Sequence, residues 1–458
     1  MDLPDRIDCI VGHGELRSAS RDSALDGEFE IAHSFCPTRM LIVNFIPSDP
    51  RRSQFPLTTD TEYFLSGNTR DAKPISASRL WPTGTLKNEF HANWVAVGAA
   101  DDVFASEFTF QIPNFEFTGT EWSEYSLPGG GLRRELDKFH LLLTPHLPGS
   151  PLQIQFLQVD KYHDILSVLK RTRANAFTAI LKVSAEDRRP LQCASVANFA
   201  DELLWLTAFA VGRAIPWLSY DATSEGTTVR FFRRWALLHP YRSPNGCIDL
   251  VAPGDLREFL QTAFPVFADL LSKHRRNLIE AIAAYAAALQ LPPFPTPIWL
   301  TARAFEALMQ AFLAEEQRHY PLSDVDRARE ELKTAILDIC RPRLPRNQKI
   351  TEEFCNAVGG KVENVLRRSL RDQIEELLTN HDVPHDSTRV RDFVKERHGA
   401  AHWGEIKEFT RTYDAWLGGM SLLECLILKL LNYQGMYLDR TQQCAEERKQ
   451  RLPWIKSN

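Results

Sequence analysis

The hydrophobic period of this chain changes near Leu256, and that change limits what it can fold into. Before it, short apolar runs are separated by turn residues. Arg39 to Ile46, Trp94 to Val97, Val103 to Ile112, Phe115 to Phe117 and Leu152 to Val159 read as strands. Within them Phe108-Thr109-Phe110-Gln111-Ile112 alternates with a period of two, the pattern of a sheet with one buried face. Pro47, Pro50, Gly67, Pro82 and the run Pro128-Gly129-Gly130-Gly131 supply turns. The glycine run is a loop and not a phosphate cradle, because Leu132-Arg133-Arg134 follows it where a Lys-Ser/Thr pair would be needed.

After a mixed stretch, helical spacing takes over. Phe177 to Val183 reads as a strand, Val196 to Val211 as an apolar helix, and Ile215 to Tyr220 and Thr227 to Leu237 as strands. Phe259 to Leu289, Ile298 to Tyr320, Asp326 to Cys340, Glu352 to Asn380 (with a break at Gly359-Gly360), Arg389 to Trp403 and Ile406 to Tyr433 read as helices. Pro292, Pro293, Pro295 and Pro297 mark the main boundary. The expectation is an α+β protein: a β-rich domain over 1–190, a mixed α/β continuation over 191–292 and an all-α bundle over 293–458.

Composition bounds the partners. The formal net charge of -5 gives no general attraction for nucleic acid, so any such contact must come from a local patch. One candidate is Arg230-Phe231-Phe232-Arg233-Arg234-Trp235, where arginine alternates with aromatics as in single-strand grooves; half-buried strands with snorkelling arginines give the same letters. The eight cysteines are scattered and form no Cys-x-x-Cys pair, which favours reduced thiols and a cytoplasmic location. The N-terminus has no apolar leader, and no apolar run reaches the ~18 residues of a membrane span.

The chemistry is concentrated in Glu396-Arg397-His398-Gly399-Ala400-Ala401-His402-Trp403. On a helix, positions 398 and 402 share a face, whereas 397 and 402 stand about 140° apart. Arg397 and His402 could still converge if the helix breaks at Gly399 or if two subunits each contribute to one cleft. His398 and His402 could also ligate a metal with Glu405 as third ligand, but Gly-Ala-Ala separates them where a zinc hydrolase needs its glutamate. His381 and His385 flank Pro384 and belong to a loop. Tyr162-His163-Asp164 has no nucleophile in any motif beside it.

Four features occur in order: Phe305-Glu306-Ala307-Leu308 on a long helix, a middle helical segment, the Arg397 to His402 stretch, and an apolar helix ending Leu430-Leu431-Asn432-Tyr433-Gln434-Gly435-Met436-Tyr437. This order resembles the HEPN superfamily of helical ribonucleases, and within it the ApeA-like branch of prokaryotic abortive-infection and antiphage defence. The resemblance covers roughly Ile298 to Arg440, with the rest alike only in general architecture. It implies a metal-independent endoribonuclease without cofactor, in which Arg397 clamps phosphate, His402 is general base or acid and His398 orients it. It also implies a homodimer paired through the helical domain, RNA as substrate, and an N-terminal region that senses a phage-derived or nucleic-acid trigger or restrains the nuclease. Gly404 stands where some relatives carry a tyrosine modified by a silencing partner. The alternative is a non-catalytic RNA-binding or scaffold protein that uses the bundle for dimerisation.

Overall fold

The computed structural model describes residues 6–455 except 20, 36–40, 50–60, 84–87, 99–102, 127–131, 145–150, 235–237, 291–292, 319–323, 344–352, 355, 359–360, 363–364, 367, 404–407 and 443–444. The glycine run at 129–131, the Gly359-Gly360 break and Glu405 lie outside the described residues. The architecture is α+β, a β-rich unit followed by helices. Two compact units are present, one of residues 1–272 with 435–438 and one of residues 273–434 with 439–458.

In the first unit, β1 (Arg6–Ser18), β2 (Arg21–Ser34), β3 (Leu41–Pro47), β4 (Tyr63–Thr69), β5 (Pro74–Pro82) and β6 (Glu89–Val97) run in the spatial order β3-β2-β1-β4-β5-β6. β3 also pairs with β6, which closes the six into an antiparallel barrel. Alternate residues point inward, so Phe29, Ile31, Val43, Phe45, Leu65 and Phe90 form its core. Closing so few strands demands strong local coiling, and glycine is placed where backbones must approach. Gly27, Gly14 and Gly67 lie side by side across β2, β1 and β4. A Cβ on Gly14 would stand 2.8 Å from the Cα of Gly67 and closer still to the Ser66 carbonyl.

The strands that follow are β7 (Phe104–Ala105), β8 (Glu107–Pro113), β9 (Glu121–Ser126), β10 (Leu132–Leu143), β11 (Leu152–Gln158), β12 (Phe177–Ala185), β13 (Leu191–Gln192), β14 (Ser219–Ser224) and β15 (Thr227–Arg233). Seven of these extend the same sheet from β6 in the order β15-β14-β8-β12-β11-β10-β9, and β7 pairs separately with β13. β14 and β15, from the mixed stretch of sequence, are thus strands of the one sheet. The helix α1 (Tyr162–Thr172) precedes β12, and the apolar α2 (Cys193–Val211) is buried along most of its length. Phe199 and Phe209 of α2 meet Phe264 and Phe259 of α3 (Asp255–Leu289), which carries a non-helical residue at His274.

Phe115 to Phe117 corrects the sequence reading. Both rings are buried, yet the segment is no strand, because side chains instead of a neighbouring strand satisfy its backbone. The Thr178 hydroxyl accepts from the Phe115 N–H (2.6 Å), the Tyr162 hydroxyl accepts from the Phe117 N–H (2.9 Å), and Gln158 donates to the Phe117 carbonyl (2.7 Å). Residues 215–218 likewise precede the strand, which starts at Ser219.

The second unit holds the later part of α3 with α4 (Thr296–Phe312), α5 (Val325–Cys340), α6 (Leu370–Asn380), α7 (Ser387–Trp403) and α8 (Phe409–Leu430). α4 packs on α6, α7 and α8, and α7 packs on α6 and α8. Phe305 of α4 lies 5.9 Å from Phe393 of α7, which fills the space left by Gly419 of α8. Trp416 of α8 donates to the Thr301 hydroxyl of α4 at 3.1 Å. Val358, Val362 and Leu366 form a separate small core with Leu332 and Ile336 of α5. No helix among the described residues is long and apolar enough to cross a membrane.

One charge pair is wholly enclosed in this unit. Glu424 of α8 is 0 % exposed, and its Oε1 accepts from Arg440 Nε and from the Tyr285 hydroxyl, both at 2.6 Å. Burial pushes the Glu424 carboxyl up, against the pull of Arg440. Removing one member strands a buried charge, which costs about 3–5 kcal/mol, whereas removing both does not. Glu424→Leu is expected to lower the unfolding free energy measured by urea denaturation by that amount, and Glu424→Leu with Arg440→Met to recover most of it.

In the barrel, His33 is 1 % exposed, its ring edge-on to Phe232 at 5.1 Å, and neither ring nitrogen has a hydrogen-bond partner among the described residues. Burial pushes its imidazole down to about 4. The unfolded chain takes up a proton as pH falls through ~6.5 while the folded chain stays neutral, so stability is full above that value and is lost toward pH 4. Between pH 7 and pH 5 the chain is expected to lose about 2 kcal/mol from this residue. Denaturation at the two pH values, repeated with His33→Leu, checks it by the shrinkage of that difference.

Candidate functional site

The helix that carries the Arg397 motif starts at a clear cap. Asp386 accepts from the Thr388 N–H at 2.8 Å, and the hydrogen bonds from Thr388 hold its carboxyl below the usual range. From there α7 runs to Trp403 without a break at Gly399. Val390, Phe393 and Ala400 are buried, which defines its inward stripe. Arg397 occupies the position of that stripe between Phe393 and Ala400, so the sequence places a cation where the packing pattern calls for an apolar residue.

Its side chain is 32 % exposed, and its guanidinium is met by Glu306 of α4 at 3.2 Å. Glu306 also receives Arg303 at 3.4 Å, and Arg303 Nε donates to Glu280 of α3 at 2.8 Å. A chain of alternating charge thus runs Glu280, Arg303, Glu306, Arg397. Glu306 lines a cleft of about 400 Å³ with Gln310, Glu315, Arg318 and Gln373. Glu396, beside Arg397, turns the other way and holds α8 through Arg411 (3.1 Å) and the Thr412 hydroxyl (2.9 Å).

His398 is exposed, on the side of α7 away from the stripe. His402 lies in the last turn of the helix, and its side chain falls outside the described residues. Since α7 is continuous, positions 397 and 402 remain about 140° apart and positions 398 and 402 about 40° apart. A single α7 therefore does not turn the Arg397 and His402 positions toward one point. Glu306 is the residue that sequence reasoning left without a role; its signal is a carboxylate on the same helix face as Ile298, Ala302 and Phe305.

The other sequence candidates resolve as structure. On β15, Phe231 stacks on Tyr220 at 4.6 Å, Arg230 holds Asp221 through two bonds (2.6 and 2.9 Å), and Arg233 lies 3.7 Å above Trp217 and 2.6 Å from Asp201. These rings are core and these arginines are paired, so the run offers no stacking groove; Trp235 lies outside the described residues. Tyr162 supports the Phe117 backbone, and His163 faces Glu135 at 3.7 Å. His381 ends α6 with its ring against Phe312, and His385 Nδ1 meets the Val383 carbonyl at 2.9 Å, so each makes its own local contact. Among the described residues no group of three or more His, Cys, Asp or Glu could hold a metal ion.

One cluster resembles a triad by composition alone. His13, Asp26 and Ser48 meet on the barrel surface, but Asp26 Oδ2 and the Ser48 hydroxyl approach the same ring nitrogen, His13 Nε2, at 3.4 and 3.5 Å. A proton relay needs the carboxylate on one nitrogen and the nucleophile on the other.

Comparison with family models, with curated proteins and with solved structures gives no match to this chain.

The Arg397–Glu306 pair is about one-third exposed on both sides, where such pairs contribute about 0–1 kcal/mol. Arg397→Ala is expected to fold and to lose no more than about 1 kcal/mol in chemical denaturation. A larger loss would mark the arginine as a structural member of the bundle.

Proposed function

We propose that the chain is a metal-independent endoribonuclease of the HEPN type, acting as a homodimer in antiphage defence. The observation that carries this reading is Arg397, a partly exposed guanidinium set in the inward stripe of an unbroken helix and held by one carboxylate. Phosphate oxygens can take the place of Glu306, because arginine presents the same fork to both anions. His402 removes the proton of a ribose 2'-hydroxyl, that oxygen attacks the adjacent phosphorus, and the P–O5' bond breaks to leave a cyclic phosphate and a free 5'-hydroxyl. The leaving oxygen takes its proton from a histidine, a group that titrates near neutral pH. His398 orients this exchange. With positions 397 and 402 about 140° apart on one helix, the working cleft takes its arginine and its histidine from two copies. The β-rich unit senses a phage-derived or nucleic-acid trigger and restrains the nuclease until then.

The second reading is an RNA-binding or scaffold protein without catalysis. It is favoured by the Glu306 contact, which already gives Arg397 an anionic partner inside the chain.

Purified full-length chain incubated with end-labelled RNA and a chelator separates the two. Fragments ending in cyclic phosphate are expected, with Arg397→Ala and His402→Ala each slowing their formation about 10²–10⁴-fold while the variants stay folded. Cleavage unchanged in both folded variants would remove the assignment. RNA retention without fragments, lost in Arg397→Ala, would establish the scaffold reading.

A further inference from the structure

The barrel wall has a gap. β1 pairs with β2 from Arg6 onward, but its pairing with β4 begins only at Gly12. The β4–β5 hairpin stops short, and the edge of β1 from Asp8 to Val11 faces a cleft of about 430 Å³ instead of a strand. That volume lies within the ~300–1,000 Å³ of small-molecule sites. Its floor is apolar, made by Ile10, Val97 and the fully buried Phe232.

The rim carries charge of two kinds. Arg230 is already neutralised, bonded twice to Asp221 and 3.6 Å from Asp8. Arg70 and Lys73 differ: neither side chain makes an ion pair or a side-chain hydrogen bond among the described residues. Both project from a turn pinned by the Thr69 N–H to the Lys73 carbonyl (2.8 Å), the Ala72 N–H to the Thr69 carbonyl (2.9 Å) and the Lys73 N–H to the Thr69 hydroxyl (3.1 Å). The Arg70 N–H ties that turn to the Val11 carbonyl at 3.0 Å. Two exposed cations at one end of a cleft with an apolar floor suit an anionic group. Along the strand edge the Val11 carbonyl is taken by Arg70 and the Cys9 N–H by the Asp8 carboxylate (2.8 Å), so a flat heterocycle is held chiefly by the apolar floor.

We infer that this cleft binds a nucleoside phosphate, its phosphate on Arg70 and Lys73 and its base between the β1 edge and the floor of Ile10, Val97 and Phe232. This site goes beyond the nuclease reading and requires nothing of Arg397.

Cys9 is an exposed residue of the cleft lining, its thiol 3.5 Å from Glu30 Oε1, and its alkylation reports occupancy of the cleft. Full-length protein is alkylated with N-ethylmaleimide in the presence of each of the four ribonucleoside 5'-monophosphates, of adenosine and of inorganic phosphate, and the Cys9 peptide is quantified by mass spectrometry. At least one monophosphate is expected to slow Cys9 alkylation about tenfold when present near ten times its dissociation constant. Arg70→Ala with Lys73→Ala is expected to weaken that protection by about tenfold or more, and adenosine and phosphate alone are expected to protect at least about tenfold more weakly. No protection by any monophosphate up to about 1 mM, protection by phosphate alone equal to that by nucleotide, or protection unchanged in the folded double variant would each overturn the assignment. No RNA is present, so the result is separate from that of the cleavage assay.

Discussion

β6 has three partners and two edges, and the first unit depends on how it divides them. One edge pairs along its length with β5. The other is split: Glu89 to His91 pair with β3 and close the barrel, and Trp94 to Val97 pair with β15 and begin the open sheet. A backbone N–H or C=O serves one ladder, so a longer β3 contact would take the groups that β15 uses. Closure and extension thus share a single strand. The closed part hides its edges, while the extended part must cover its own. α2 supplies a buried apolar face, and Gln261 of α3 takes both the N–H (3.3 Å) and the C=O (2.6 Å) of Leu142 where β9 no longer runs beside β10.

The helical unit sorts its arginines by their surroundings. Arg440 is buried with Glu424 and Tyr285, and its charge is held up by that carboxylate against the desolvation that opposes it. Such a pair contributes little net stability but is costly to break, because each partner keeps the other from being a lone buried ion. Arg397 belongs to a different class. One carboxylate holds it, a third of it meets solvent, and exchanging Glu306 for another anion costs little of the fold. A residue of the second class can exchange partners during a reaction; one of the first class cannot.

The same distinction explains what the sequence disclosed. The period of the apolar residues located β3, β8, β11, β12, α2, α3 and α7, since each buries one face and writes that face into the letters. β1 and β2 were illegible: Arg6–Ser18 and Arg21–Ser34 interleave glycines and charges, and what makes them strands is a register across β2, β1 and β4 that no local window contains. Phe115 to Phe117 has the apolar letters of a strand, but its hydrogen bonds go to side chains 41 to 63 residues away. At the candidate site, Arg397 was visible through its place in the Arg397 to His402 stretch; the stripe of Val390, Phe393 and Ala400 that it interrupts is shown by burial. Glu306 was not, because 91 residues separate it from the arginine it holds.

Gly399 carries the remaining step. A glycine inside a helix costs about 1 kcal/mol relative to alanine, and proteins keep one where a neighbour must come close. At Gly419 that neighbour is Phe393 of the same chain. At Gly399 a Cβ would meet nothing within 4 Å, so the chain's own packing, among the described residues, gives the glycine no reason. Nor does it break α7, which passes through it unchanged. Position 399 lies about 60° around the helix from position 402, on the side away from Arg397. The unbroken helix therefore leaves the Arg397 and His402 positions about 140° apart, and bending of α7 does not bring them together.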